Sequence, residues 1–168
     1  ADDELDALAE LGFDWIYLLG VWQNGEASRR IAQVDERLRE EFVQVLPDLE
    51  DADICGSCFA VAAYEVNPAL GDESALRHLR QRLRSRNMRL MLDFIPNHTA
   101  LDHPWAFNLP EYYGPGNETD IAKEPQNYIR LQTILGERIL AHGRDPYFPG
   151  WSDTLQLNYG HPNVQSAM

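Results

Sequence analysis

Positive charge is scarce in this chain: 14 Lys and Arg stand against 27 Asp and Glu, a formal net charge of −13. Such a field repels phosphate backbones and anionic membrane surfaces, so nucleic acid and membrane are excluded as partner classes. Cysteine is nearly absent, with only Cys55 and Cys58. Their C-x-x-C spacing is that of redox and zinc sites, but zinc takes about four ligands and no second pair completes the set. Two cysteines in a loop of small residues are the plainer reading. No apolar run approaches the roughly 18 to 20 residues a spanning helix needs, and residues 1–12 are acidic where a signal peptide starts basic. Repeats and low-complexity tracts are missing as well. A soluble, cytoplasmic chain is expected. Its 168 residues, 44% hydrophobic and 10% aromatic, suffice for one ordinary core. The segment near Met168 reads as the start of a new helix, so a fragment of a longer chain is expected.

The hydrophobic pattern alternates between helix and strand. Leu5, Leu8 and Leu11 share one helical face behind an acidic first turn, and Gly12 stands where a helix-ending glycine belongs. Phe13 to Leu19 reads as a buried strand. Val34, Leu38, Phe42 and Val45 recur at helical spacing and Pro47 closes that helix, inside a long insertion over about 23–57. Asn67-Pro68 and Gly71 mark a turn, Asp72 can cap the next helix, and Leu76, Leu79 and Leu83 form its buried stripe. Six arginines from Arg77 to Arg89 read as a solvated outer face. Met88 to Leu92 then reads as a strand buried on both faces, as in parallel α/β sheets. Beyond it, residues 96–126 show no period. Asn127–Thr133 and Glu137–His142 can pair as a hairpin around Gly136, and Pro162 can start a helix.

Strand, crossover helix, strand is the repeat of a β/α barrel or doubly wound sheet, in which ligands bind at the carboxyl ends of the strands. Asp93 ends the Met88–Leu92 run, and Asn97 and His98 follow it. A carboxylate there can serve as base, ligand or structural acceptor, and histidine is an apt donor to a neutral hydroxyl-rich ligand. Trp22, Phe59, Tyr64, Trp105, Tyr112, Tyr113, Tyr147 and Trp151 supply flat apolar faces. Rings beside carboxylates and amides suit a sugar, whose C–H faces stack while its hydroxyls hydrogen-bond. Asn97-His98-Thr99 and Asn117-Glu118-Thr119 match the glycosylation tripeptide, a pattern frequent by chance.

Four ordered segments carry a family resemblance: LAELGFDWIYLLGVW, GSCFAVAAYEVNPALG, LMLDFIPNHTALDHPW and DTLQLNY. Together they resemble the N-terminal part of the catalytic domain of the α-amylase family, glycoside hydrolase family 13, with the third segment similar to its D-x-x-x-N-H signature. The resemblance implies an α/β fold, a partial (β/α)8 TIM barrel of about strands 2 and 3 with their helices, plus an inserted loop-rich subdomain after strand 3. On that basis 1–95 is partial barrel with the insertion, 96–160 the subdomain and 161–168 the start of the next barrel helix. It implies an enzyme acting on α-glucosides or α-glucans with retention, or else a non-catalytic carbohydrate-binding or scaffold protein of the same fold. Asp93 corresponds to a supporting strand-end aspartate and His98 to a histidine that hydrogen-bonds the sugar. Asn97 corresponds to an asparagine that binds calcium in many members, the one candidate cofactor. Phe59 aligns with a stacking tyrosine, and Ala63 stands where many members carry aspartate before the tyrosine, here Tyr64. The family's catalytic carboxylates fall on later strands, so no catalytic residue is assigned, and the rest of the barrel is an expected partner.

Overall fold

The computed structural model describes residues 2–168, which form two compact units. Residues 2–23 and 64–94 make one, and residues 24–63 and 95–168 the other. The sequence-based division instead sets 23–57 inside a barrel part and 96–160 apart from it.

In the first unit, α1 (Asp2–Glu10) leads to β1 (Trp15–Leu18), and after β2 (Trp22–Asn24) and β3 (Val61–Val66) comes α4 (Glu73–Arg84), followed by β4 (Arg89–Leu92). The strands β2 and β3 pair, and the chain passes between the units within each of them. The strands β1 and β4 pair in parallel, Ile16 opposite Leu90 and Leu18 opposite Leu92. Parallel strands need a long crossover, which everything between β1 and β4 supplies. The Asp72 carboxylate accepts from Ala75 N–H at 2.7 Å and so caps α4 as expected. Leu5, Leu83 and Met88 form the core with Leu8, Ile16, Leu79 and Leu90 around them. Arg82 and Arg86 reach Asp2 and Asp6 of α1, so part of the arginine face ties the two helices together.

Two expectations are corrected here. The Met88–Leu92 strand is not buried on both faces: Met88 is buried, but along β4 exposure alternates and Met91 stays 45% exposed. A two-stranded sheet whose helices pack on one face covers only that face. Leu11 lies past the end of α1 and is exposed, because Gly12, at φ +85°, ends the helix.

In the second unit, the insertion is a pair of helices rather than one. The helices α2 (Glu26–Val34) and α3 (Glu36–Val45) break at Asp35, whose extended backbone lets its carboxylate accept from Leu38 N–H at 3.1 Å. A capping aspartate between two helical runs explains why continuous periodicity misled. Strand β5 (His98–Ala100) pairs antiparallel with β8 (Thr154–Gln156). Between them lie α5 (Pro104–Asn108), α6 (Glu118–Lys123) and the expected hairpin, β6 (Tyr128–Thr133) with β7 (Gly136–Ala141). Helix α7 (Pro162–Ala167) begins at the expected proline. The core gathers Ala106, Tyr113, Leu140, Leu155, Leu157 and Val164. The Tyr113 hydroxyl meets Thr99 Oγ1 at 2.8 Å, and burial pushes its pKa up. No helix among the described residues is long and apolar enough to cross a membrane.

Candidate functional site

The sequence-selected residues divide between the units. In the first, Asp93 follows β4 and is buried. Its Oδ1 accepts from Gly20 N–H at 3.1 Å and its main-chain carbonyl from the Trp22 indole N–H at 2.8 Å, while Oδ2 has no hydrogen-bond partner. Asp93 therefore holds the loop after β1. Tyr64 lies on β3 in an aromatic row, edge to face with Trp22 at 5.4 Å and tilted against Phe94 at 5.5 Å.

The second unit brings His98 and Phe59 together. Both line a cavity of about 280 Å³ with Ser57, Trp151, Asp153 and Thr154. The rings of His98 and Trp151 lie 5.1 Å apart. His98 is only 7% exposed, and its Nε2 has no partner. A buried polar atom without a partner costs free energy, which a ligand group at hydrogen-bond distance would recover.

The protonation pattern of this ring follows from its neighbours. The Asn97 main-chain carbonyl can only accept, so the Gln156 atom 2.8 Å from it is the amide nitrogen. That nitrogen also lies 3.0 Å from Asn97 Oδ1, which fixes the Asn97 amide as well. Asn97 Nδ2 then donates to Gln156 Oε1 at 3.3 Å and to His98 Nδ1 at 3.2 Å. With Nδ1 an acceptor, neutral His98 carries its proton on Nε2, a buried donor.

Burial lowers the His98 pKa, opposed by the Phe59 backbone and the Asp153 charge, so the neutral form persists at neutral pH. Burial lowers His103 likewise. A folded state that binds fewer protons than the unfolded chain loses stability as pH falls from the unfolded histidine value near 6.5 toward the lowered one. The melting temperature is expected to fall on acidification from about pH 7 to about pH 5. The fall should be shallower in His98→Asn, and equal slopes in both proteins would assign the effect elsewhere.

Residues outside the selected set complete the site. Ser28, 2% exposed on α2, donates to Asp153 Oδ2 at 2.6 Å and accepts from Ser57 N–H at 2.8 Å. Ser57 O in turn accepts from Asn24 Nδ2 at 2.7 Å. One hydroxyl thus joins the loop bearing Phe59 to the loop bearing Trp151. Asp153 opens the DTLQLNY segment, a signal in the sequence, whereas nothing in the sequence marks Ser28.

Metal candidates are few. Asn97 Oδ1, the oxygen a calcium ion would take, is held by Gln156, and calcium takes about six to eight oxygens. Among the described residues no group of three or more His, Cys, Asp or Glu is placed to hold a metal. Cys55 is exposed and Cys58 half-buried, with the Cys55 thiol directed at its neighbour's carbonyl, Gly56 O, at 3.8 Å.

Known proteins resemble this chain over most of its length. The family model described as the α-amylase catalytic domain matches residues 2–128. Alpha-amylase 3 of Dictyoglomus thermophilum is 24% identical over 119 residues, covering 62% of this chain and 20% of that protein. The amino acid transporter heavy chain SLC3A1 of Rattus norvegicus is 24% identical over 115 residues, covering 62% and 17%. Among solved structures, the isomaltulose synthase of Klebsiella sp. LX3 aligns over 99% of this chain and 26% of its own, with a TM-score of 0.64 and 20% identity, a likeness of fold. The chain thus spans about a sixth to a quarter of these proteins. Its α/β architecture is that of part of the family's barrel catalytic domain, and the chain belongs to the α-amylase family.

Proposed function

We propose that these residues are the N-terminal part of the catalytic barrel of a retaining glycosidase or transglycosidase acting on α-glucosides or α-glucans. The unit of residues 24–63 and 95–168 supplies one wall of its sugar site. The observation that carries this reading is the buried His98 ring, packed on the ring of Trp151 and sharing one cavity with Phe59. A glucosyl ring can stack its C–H face on an aromatic while a hydroxyl accepts from Nε2. Retaining chemistry needs two carboxyl groups about 5 to 5.5 Å apart. In this reading they lie on barrel strands outside the present sequence, so the isolated chain binds without turning over. The remainder of the barrel is its partner.

The test is an assay of the intact gene product on an aryl α-glucoside. His98→Ala is expected to lower kcat/KM roughly 10- to 100-fold, the cost of one lost hydrogen bond in a buried site. Turnover unchanged by that substitution would sink the assignment of His98. Complete absence of turnover would favour the second reading, a non-catalytic carbohydrate-binding or scaffold protein of the same fold. That reading draws on Phe59 and Ala63, where the family pattern has tyrosine and aspartate. It draws also on the relative named as a transporter heavy chain rather than an enzyme.

A further inference from the structure

The side-chain amide of Gln156, the last residue of β8, joins three segments of the second unit. Its nitrogen faces three oxygens: the Asn97 main-chain carbonyl at 2.8 Å, Asn97 Oδ1 at 3.0 Å and the Leu157 carbonyl at 3.4 Å. Its oxygen accepts from Asn97 Nδ2 at 3.3 Å and from Arg144 N–H at 3.4 Å. One neutral side chain thus ties the residue before β5 and the loop after β7 to the end of β8. Oxygens that converge on one point are what a hard cation requires, and Asn97 is the position at which the family resemblance implies calcium. Here that point is filled. The NH2 group of Gln156, the positive end of the amide dipole, sits where the oxygens converge. None of the three oxygens belongs to a carboxylate, and ligand charge is what gives a calcium site its affinity.

We propose that the Gln156 amide takes the place of a divalent cation at this junction, so that the seat of His98 is set by hydrogen bonds and is independent of calcium. Nothing in the junction depends on what fills the His98 cavity. Exchanging the nitrogen for oxygen should reverse the arrangement. Gln156→Glu keeps the shape of the side chain but sets a carboxylate oxygen against the Asn97 main-chain carbonyl. Either orientation of the Asn97 amide then brings its own oxygen against the carboxylate as well. A cation among them relieves that repulsion. Asn97 O, Asn97 Oδ1, Leu157 O and the new carboxylate would be its ligands, and because Asn97 is exposed, water can complete the usual six to eight.

The test compares the intact gene product with its Gln156→Glu variant by thermal melting in EDTA and in about 10 mM calcium chloride, with calorimetric titration of calcium into both. In EDTA the variant is expected to melt about 2 °C or more below wild type, and calcium to raise it back toward the wild-type value. The variant should take up one calcium ion more than wild type, with a Kd of about 1 mM or tighter. Gln156→Leu removes the amide without adding a carboxylate, so it should melt low in both conditions and gain no ion. A Gln156→Glu protein that melts with wild type in EDTA, gains no calcium ion, or folds in neither condition would overturn the proposal. A Gln156→Leu protein as stable as wild type would do the same, since the amide would then hold nothing. So would a calcium ion bound by wild type and lost in Asn97→Ala, because a cation would then hold the junction itself.

Discussion

Replacing Gly143 with alanine is expected to destabilise the unit containing His98 by about 1 to 3 kcal/mol, the usual cost of overpacking, and to abolish glucoside binding. A Cβ at this position would lie 2.7 Å from Thr154 Oγ1, 2.8 Å from His98 Cβ and 3.0 Å from His98 Cγ. Neither side can yield cheaply. Gly143 O accepts from Trp151 N–H at 2.8 Å, and the preceding His142 ring nitrogen Nδ1 meets Thr154 O at 2.9 Å. The backbone of Gly143 is therefore pinned beside β8, and β5 at His98 is the part that must shift, because turning the ring leaves its Cβ in place. Once it shifts, the ring moves with it and Nδ1 loses its bond from Asn97. Thermal melting and glucoside titration check this together. A Tm within about 2 °C of wild type with unchanged affinity would show that the site tolerates the methyl group.

Ser28→Ala is expected to cost about 2 to 3 kcal/mol, more than a surface hydroxyl because it strands two partners at once. The Asp153 carboxylate loses a charge-assisted donor, and Ser57 N–H loses its acceptor. The loops bearing Phe59 and Trp151 then lack their common tie, so glucoside affinity should fall although Ser28 does not line the His98 cavity. A double-mutant cycle with Asp153→Ala isolates the pair, with a coupling of about 1 kcal/mol or more expected. Additive effects of the two substitutions would mean that the hydroxyl and carboxylate act independently.

The elements that could be read from the sequence are those whose causes are local. Asp72 caps α4 through a carboxylate three residues from its donor, and Gly136 turns the β6–β7 hairpin at φ +84°. Pro162 opens α7 for the same kind of reason. The break at Asp35 was hidden because Val34, Leu38 and Phe42 keep helical spacing across it, and only a side-chain cap distinguishes two helices from one. The exposure of Met91 was hidden because the same apolar run serves a strand covered on one face or on two. His98 and Phe59 were selected from two separate family-like segments, and both line one cavity. Ser28 and Gln156 were not, since their partners lie 125 and 59 residues away in sequence. No short-range pattern encodes such a bond.

The pairing of β5 with β8 carries a consequence for how this segment can change over generations. Three residue pairs, from His98 with Gln156 to Ala100 with Thr154, clamp the two ends of the stretch between them. The amide lock on His98 is made wholly at that clamp. Lengthening a closed loop costs little, only about 0.6 kcal/mol per doubling. Insertions at the exposed Ile134–Leu135 tip of the hairpin therefore lengthen the loop without displacing the donor. The stretch behaves as a replaceable cassette on a fixed mount, free to diversify while His98 stays put.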